Sequence, residues 1–447
     1  MRSKATCLRE RGTMDRNNRV SITWAAVFRR PGRTLAAILV SAPLVMGLVP
    51  AGASALVSPL GDPFYTPPTN LAKLADGTII RSREVTMSGP QQADTAAAYQ
   101  LFFRTTSATG QPTAAITTVL VPTGPASETR VLATYEPAYD SMTLNCAPSY
   151  TLQGGNPTGG GTGDLEQGLI ADELAEGWDV NVPDYEGLQS EWAVGPMLGH
   201  ASLDSVRAAE HFAADGLTAG AHTEVTFTGY SGGSLAADWS AALAPSYAPE
   251  LNIVGIAAGG NLPDYEYTES HLDGSLWYGV QIGTMESFSR AFSSFNLQQL
   301  LNPAGLALAA EDGSYSAGCS SSTLNEPGGN ASEYTDFPSS EALVADPVVK
   351  QTLDRLSLRY APNPTAPEFI YNSVNDDIAF VAPVDALVTQ YCAEGVTVDY
   401  DRDALGGDHI SAIPSWWAGS LAYLIGRYAG EPAPDNCATW SSSPPTP

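Results

Sequence analysis

A serine hydroxyl attacks an acyl carbonyl only when a base removes its proton and an acid orients that base. One serine in this chain sits where such activation is mechanically feasible. Gly229-Tyr230-Ser231-Gly232-Gly233 is a G-x-S-x-G pattern. The alternating Val225-Thr226-Phe227-Thr228 before it reads as a strand, and the Ala- and Leu-rich stretch 234–243 after it reads as a helix. A tight strand-to-helix turn would hold the serine exposed, and steric crowding there demands small neighbours. The pentapeptide alone is weak evidence in a chain with 42 glycines. The flanking elements make Ser231 the candidate nucleophile.

On such a turn the partners follow in the order serine, acid, histidine. Of the 5 histidines, only His271 and His409 lie after Ser231. His271 leaves too little chain for an acid at the end of a later strand. His409, in the small-residue loop Gly406-Gly407-Asp408, is the candidate base, and a mobile, unhindered loop is expected around it. The acid should follow the strand-like Phe369-Ile370-Tyr371. Asp376 and Asp377 both stand there, and Asp376-Asp377-Ile378 fits a D-x-[IV] pattern with Asp376 in the acid role. Asp376 is therefore preferred. The Gly232 N–H is one expected oxyanion donor, and the second belongs to the loop 136–141. These residues alone do not pick which position in that loop supplies it.

Another acidic cluster, Asp399-x-Asp401-x-Asp403, has Ala404 at the sixth position and no closing Glu, so it reads as a solvated loop rather than a calcium site. No C-x-x-C or Cys/His cluster exists, so no metal site is expected.

The elements that must position these residues alternate. Strand-like segments run at 98–103, 116–121, 131–135 and 180–183, then a helix at 203–213, the Ser231 strand and helix, and a strand at 253–257. The rhythm breaks between 261 and 367, where helix-like pieces at 296–301 and 347–355 are joined by Gly/Ser/Pro-rich connectors. It resumes with strands at 369–371 and 396–398 and a helix at 417–428. The glycine-rich 154–163 reads as a flexible loop. This pattern predicts an α/β-hydrolase fold: a mostly parallel central sheet flanked by helices, with a largely helical lid. The expected divisions are a secretory signal peptide (1–55), a first core part (56–260), a lid insertion (261–367), a second core part (368–437) and a disordered tail (438–447).

Charge and cysteines bound the setting. Net charge is -27 at pH 7, although 9 of the 21 Lys and Arg fall in the first 33 positions. That basic start, the apolar 35–49 and Ala53-Ser54-Ala55 make a secretory signal cleaved near Ala55, giving a secreted protein. The apolar run is too short, and too interrupted by Pro43, for a convincing membrane span. The acidic remainder repels nucleic acid and anionic headgroups, so no nucleic-acid partner is expected. Cys7 leaves with the signal. Cys146, Cys319, Cys392 and Cys437 remain, an even count that predicts two disulfides with three open pairings.

Four stretches together resemble the secretory lipase family. They are Tyr139-Asp140-Ser141 with 145–150; Pro183-Asp184-Tyr185-Glu186-Gly187 with Gly199-His200 and Leu203-Asp204; the Ser231 pentapeptide; and the Asp376 and His409 segments. The resemblance implies a Ser231–Asp376–His409 triad, oxyanion N–H groups from Asp140 and Gly232, and disulfides Cys146–Cys319 and Cys392–Cys437. It implies hydrolysis of carboxylic esters, often triacylglycerols, without a cofactor. The expected partners are a lipid or other small ester, with at most transient contact with a lipid surface. Lipase A-like members carry a longer segment after the last cysteine than Ala438–Pro447. That departure brings in a short-chain esterase as an alternative. A cell-envelope lipid acyltransferase with the same triad, and a catalytically silent binding module, are the other readings.

Overall fold

Nine strands build one sheet in the computed structural model, which describes residues 56–124, 130–155, 163–312 and 328–442. The expected signal peptide, most of the glycine-rich loop and Cys319 lie outside the described residues. The strands are β1 (Ile79–Val85), β2 (Thr95–Thr106), β3 (Pro112–Pro122), β4 (Leu132–Glu136), β5 (Asp179–Pro183), β6 (Glu224–Tyr230), β7 (Asn252–Gly259), β8 (Glu368–Ser373) and β9 (Val398–Asp403). Their order is β1-β2-β3-β5-β4-β6-β7-β8-β9. The first three strands and the β3–β5 junction are antiparallel, and every pairing from β5 to β9 is parallel. A sheet with this parallel part gathers its chemistry at the carboxyl ends of the strands.

Both faces are covered, because strand residues alternate between two apolar clusters. Leu132, Val225, Phe227 and Ile256 pack with Val206 and Leu235, from the helices Gly195–Glu210 and Gly232–Tyr247. Ala133, Tyr135, Ala257 and Tyr371 pack with Ile170, Leu174, Trp416 and Leu424, from the helices Asp164–Ala175 and Ile413–Tyr428. Each large side chain buried this way contributes about 1.5–3 kcal/mol.

Four expectations need correction. The helix expected at 203–213 begins at Gly195 and ends at Glu210. Gly195 and Gly199 read as breakers in sequence, yet a Cβ on Gly199 would come within 2.7 Å of the Trp239 carbonyl oxygen. Glycine here serves close helix–helix approach. The acidic Asp399-Asp401-Asp403 run is a strand rather than a loop, and the strand expected at 396–398 is displaced onto it. Val398 and Tyr400 point inward and are buried, so the aspartates take the alternate positions. Third, the chain end is not wholly unstructured, because Cys437–Ser442 is helical and Trp440 packs edge-on against Tyr400 at 5.1 Å. Fourth, β1 has no counterpart in the sequence reading. Its IIRSREV alternates weakly; the Arg81 and Arg83 guanidinium groups lie over the Phe102 and Phe64 rings respectively.

Between β7 and β8 the chain forms a run of helices, including Tyr265–Ser270, Tyr278–Ala291 and Pro347–Leu356. Asp346 caps the last of these, accepting from the N–H groups of Val348 and Val349. Among the described residues, no helix is long and apolar enough to cross a membrane.

Cys392 and Cys437 form a disulfide across 45 residues, tying the terminal helix to the helix Val381–Glu394. Cys146 is buried and disulfide-bonded. A Cys392→Ser/Cys437→Ser variant is expected to lose about 2–4 kcal/mol of stability, because the open chain regains loop entropy. Equilibrium denaturant unfolding measures this directly.

Candidate active site

Ser231 sits between β6 and the helix Gly232–Tyr247 with φ +56° and ψ −122°, in a region that ordinary residues avoid. Its backbone N–H is held by the Gly259 carbonyl of β7 at 2.9 Å. A side chain at Gly233 would collide with the Glu136 carbonyl at the end of β4. The small residue there lets the turn pack directly on the neighbouring strand.

Two side chains from distant positions converge on this turn. His409 Nε2 lies 2.7 Å from Ser231 Oγ, and His409 Nδ1 lies 2.8 Å from Asp376 Oδ2. The geometry suits an imidazole whose Nδ1–H donates to the carboxylate and whose Nε2 accepts from the hydroxyl. Asp376 follows β8, and its other oxygen accepts from the N–H groups of Ile378 and Ala379 at 3.0 and 2.7 Å. Asp377 has a different task. Its Oδ1 accepts the backbone N–H of His409 at 3.2 Å. The two adjacent carboxylates thus meet the imidazole ring and its main chain respectively.

The His409 loop is tethered and closely packed, where an unhindered loop was expected. Ser373 Oγ and Asn375 Nδ2 donate to the Gly407 and Gly406 carbonyls, both at 2.6 Å. Tyr230 Oη donates to the His409 carbonyl at 2.7 Å, and the Tyr230 and Trp277 rings stand 5.1 and 5.5 Å from the imidazole. His409 is only 2% exposed. The small residues therefore permit close capture of their carbonyls by Ser373 of β8 and by Asn375 just beyond it.

The loop after β4 is shaped by two of the stretches that the sequence singled out. Asp140 holds φ +35°, a conformation that Asp tolerates better than most residues. Tyr185 Oη donates to the Pro137 carbonyl, and the Glu186 N–H donates to Tyr139 Oη at 2.8 Å. The Ser141 N–H donates to Glu186 Oε1 at 3.2 Å, and the Ala138 N–H to Glu166 Oε1 at 2.8 Å. Burial pushes the Glu166 carboxyl up to about 8, and Asp140 up to about 6. Glu186 is raised well above the ordinary carboxylate range for the same reason. Asp184 is anchored separately, accepting from Ser149 N and Oγ at 2.8 and 2.5 Å.

Ser231, Gly232, Asp140 and His409 face a cavity of about 310 Å³. Its walls include Leu165, Leu169 and Ile413, and Leu262, Trp277 and Val280 from the helical excursion. A largely apolar space with a few convergent polar groups suits an aliphatic ligand. Among the described residues, no group of three or more His, Cys, Asp or Glu could hold a metal ion.

The sequence matches the family model for secretory lipases over residues 153–436. The chain belongs to the secretory lipase family. It has the α/β-hydrolase fold and is a hydrolase of the lipase and esterase class. Lipase A of Arthroderma benhamiae is 35% identical over 385 residues, covering 83% of this chain and 80% of that protein. A probable inactive lipase of Mycobacterium tuberculosis is 33% identical over 385 residues, covering 85% and 84%. The crystal structure of Candida antarctica lipase A superposes with a TM-score of 0.78 at 27% identity, covering 86% of this chain and 89% of that one.

Within this secretory lipase, sequence reasoning missed Glu166, Tyr230 and Trp277 as parts of the site. Tyr230 was inside the Ser231 pentapeptide, so its place at the turn was a usable signal. Glu166 lies in an acidic helix start, and nothing local distinguishes it from a solvated carboxylate.

Proposed function

We propose that this protein is a secreted serine hydrolase of carboxylic esters, most specifically a triacylglycerol lipase, acting through an acyl-enzyme on Ser231. The observation that carries this reading is the unbroken hydrogen-bond relay from Asp376 through His409 to Ser231, opening onto an apolar cavity. Ser231 Oγ attacks the ester carbonyl carbon while His409 Nε2 takes its proton. Asp376 orients the ring and stabilises the imidazolium. The Gly232 and Asp140 N–H groups stabilise the tetrahedral oxyanion. Collapse breaks the bond to the alcohol, which leaves with the proton from His409. Water then repeats the sequence, with His409 as base, and releases the acid and free Ser231.

The same proposal makes the helices within 261–367 the lid over the cavity and pairs Cys146 with Cys319. It also has the first 55 residues removed on export.

Chain-length dependence tests the substrate class. Purified protein lacking the first 55 residues is expected to release fatty acid from emulsified long-chain triacylglycerol and to cleave p-nitrophenyl octanoate faster than the acetate, since the cavity is largely apolar. Turnover confined to acetate and butyrate esters would make the protein a short-chain esterase instead.

A further inference from the structure

The reaction written above does not use Tyr230, yet this side chain meets the base at two places. Its Oη donates to the His409 carbonyl at 2.7 Å, and its ring stands 5.1 Å from the imidazole. Tyr230 is also the last residue of β6, joined directly to Ser231. Two consecutive residues therefore hold one histidine at two points. Ser231 Oγ meets Nε2 of the ring, and Tyr230 Oη meets the carbonyl of the main chain that carries it.

The surroundings fix Tyr230 in this place. It is 3% exposed, and Trp416 packs 5.1 Å from its ring. Gly260, just after β7, has φ +58°, and its N–H donates to the Tyr371 carbonyl of β8 at 3.1 Å. A Cβ there would lie 2.9 Å from Tyr230 Cζ and 3.0 Å from His409 Cε1. A glycine at 260 thus gives room to both rings at once. Asp377 completes the hold by accepting the His409 backbone N–H.

We infer that Tyr230 is a positioning residue for the base, holding His409 at the distance from Ser231 that proton transfer needs. This rests on the ester-hydrolysis reading of the site. His409 Nε2 must stay within hydrogen-bond reach of Ser231 Oγ and then of the leaving alcohol. A displacement of about 1 Å can cost about 10²-fold in rate. Asp376 orients the ring through Nδ1, whereas Tyr230 restrains the main chain beneath it. The nucleophile's own neighbour then sets the serine–histidine distance. Core packing alone would also bury Tyr230, but that role predicts lost stability with turnover per folded chain unchanged.

The test compares kcat and KM on one p-nitrophenyl ester for wild type, Tyr230→Phe, His409→Ala and the double variant, with thermal unfolding to verify folding. Tyr230→Phe keeps the ring and removes the donor. Its kcat is expected to fall about ten-fold or more, with KM changed only a few-fold. In the His409→Ala background the same substitution should change the residual rate by less than about two-fold, because no imidazole is left to place. Gly260→Ala, which forces a methyl group against both rings, should also lower kcat about ten-fold or more. A folded Tyr230→Phe within about three-fold of wild-type kcat would overturn the inference. So would an equal loss in the two backgrounds, which would put the effect on the turn or the cavity instead. Should Tyr230→Phe not fold, Gly260→Ala decides by the same two comparisons. Failure of the underlying reading has a separate signature: Ser231→Ala would retain wild-type turnover whatever the Tyr230 variants show.

Discussion

Ser231→Ala lowers kcat for ester hydrolysis by about 10⁵–10⁶-fold, with KM changed only a few-fold. Alanine removes the nucleophile and leaves the cavity walls and both N–H donors in place. The turn keeps its shape, because its geometry is fixed by Gly233 against β4 and by the Ser231 N–H bond to Gly259. His409→Ala should cost a similar factor, because an unassisted hydroxyl is a poor nucleophile at neutral pH. The double variant should be about as slow as either single variant, since groups acting as one unit lose their whole effect at the first deletion. Initial rates on p-nitrophenyl esters, with thermal unfolding to verify folding, check all three.

The second large effect separates two adjacent aspartates. Asp376→Asn is expected to lower kcat by about 10⁴-fold. The amide can donate to His409 Nδ1, which favours the tautomer with the proton on Nε2. It also withdraws the charge that stabilises the imidazolium. Asp377→Asn keeps an oxygen to accept the His409 backbone N–H, so its loss should stay below about ten-fold. Single-turnover rates for the two variants discriminate them. A larger loss in Asp377→Asn would reverse the assignment of the orienting acid.

The side chains that converge at the Ser231 turn were more legible in the sequence than the contacts that hold them. Ser231 was readable because its strand, turn and helix are contiguous. His409 followed by elimination, since chain order left one histidine with room for an acid before it. Asp376 over Asp377 was a choice of pattern; in the structure Asp376 Oδ2 lies 2.8 Å from His409 Nδ1, and Asp377 Oδ1 accepts the His409 backbone N–H. Asp140 came from the family resemblance alone. The residues themselves narrowed the second oxyanion donor only to a six-residue loop.

Other features were hidden for identifiable reasons. Gly195 and Gly199 are helix breakers by propensity, but contact with Trp239 reverses their meaning. The β9 aspartates mimic a loop because only their inward neighbours are apolar. The tethering of Gly406 and Gly407 was hidden because Ser373 and Asn375, which hold their carbonyls, are more than thirty residues away in sequence. Glu166 reaches the Ala138 N–H across 28 positions, a contact that no local pattern encodes.

The central claim is a covalent acyl-enzyme on Ser231. Incubation with a p-nitrophenyl alkylphosphonate, which arrests a serine hydrolase at a tetrahedral adduct, tests it most directly. The account predicts release of one equivalent of nitrophenol per chain, loss of ester turnover in parallel, and the added mass on the peptide that carries Ser231. Full ester turnover with Ser231 unlabelled, or the label on any other residue, would contradict it.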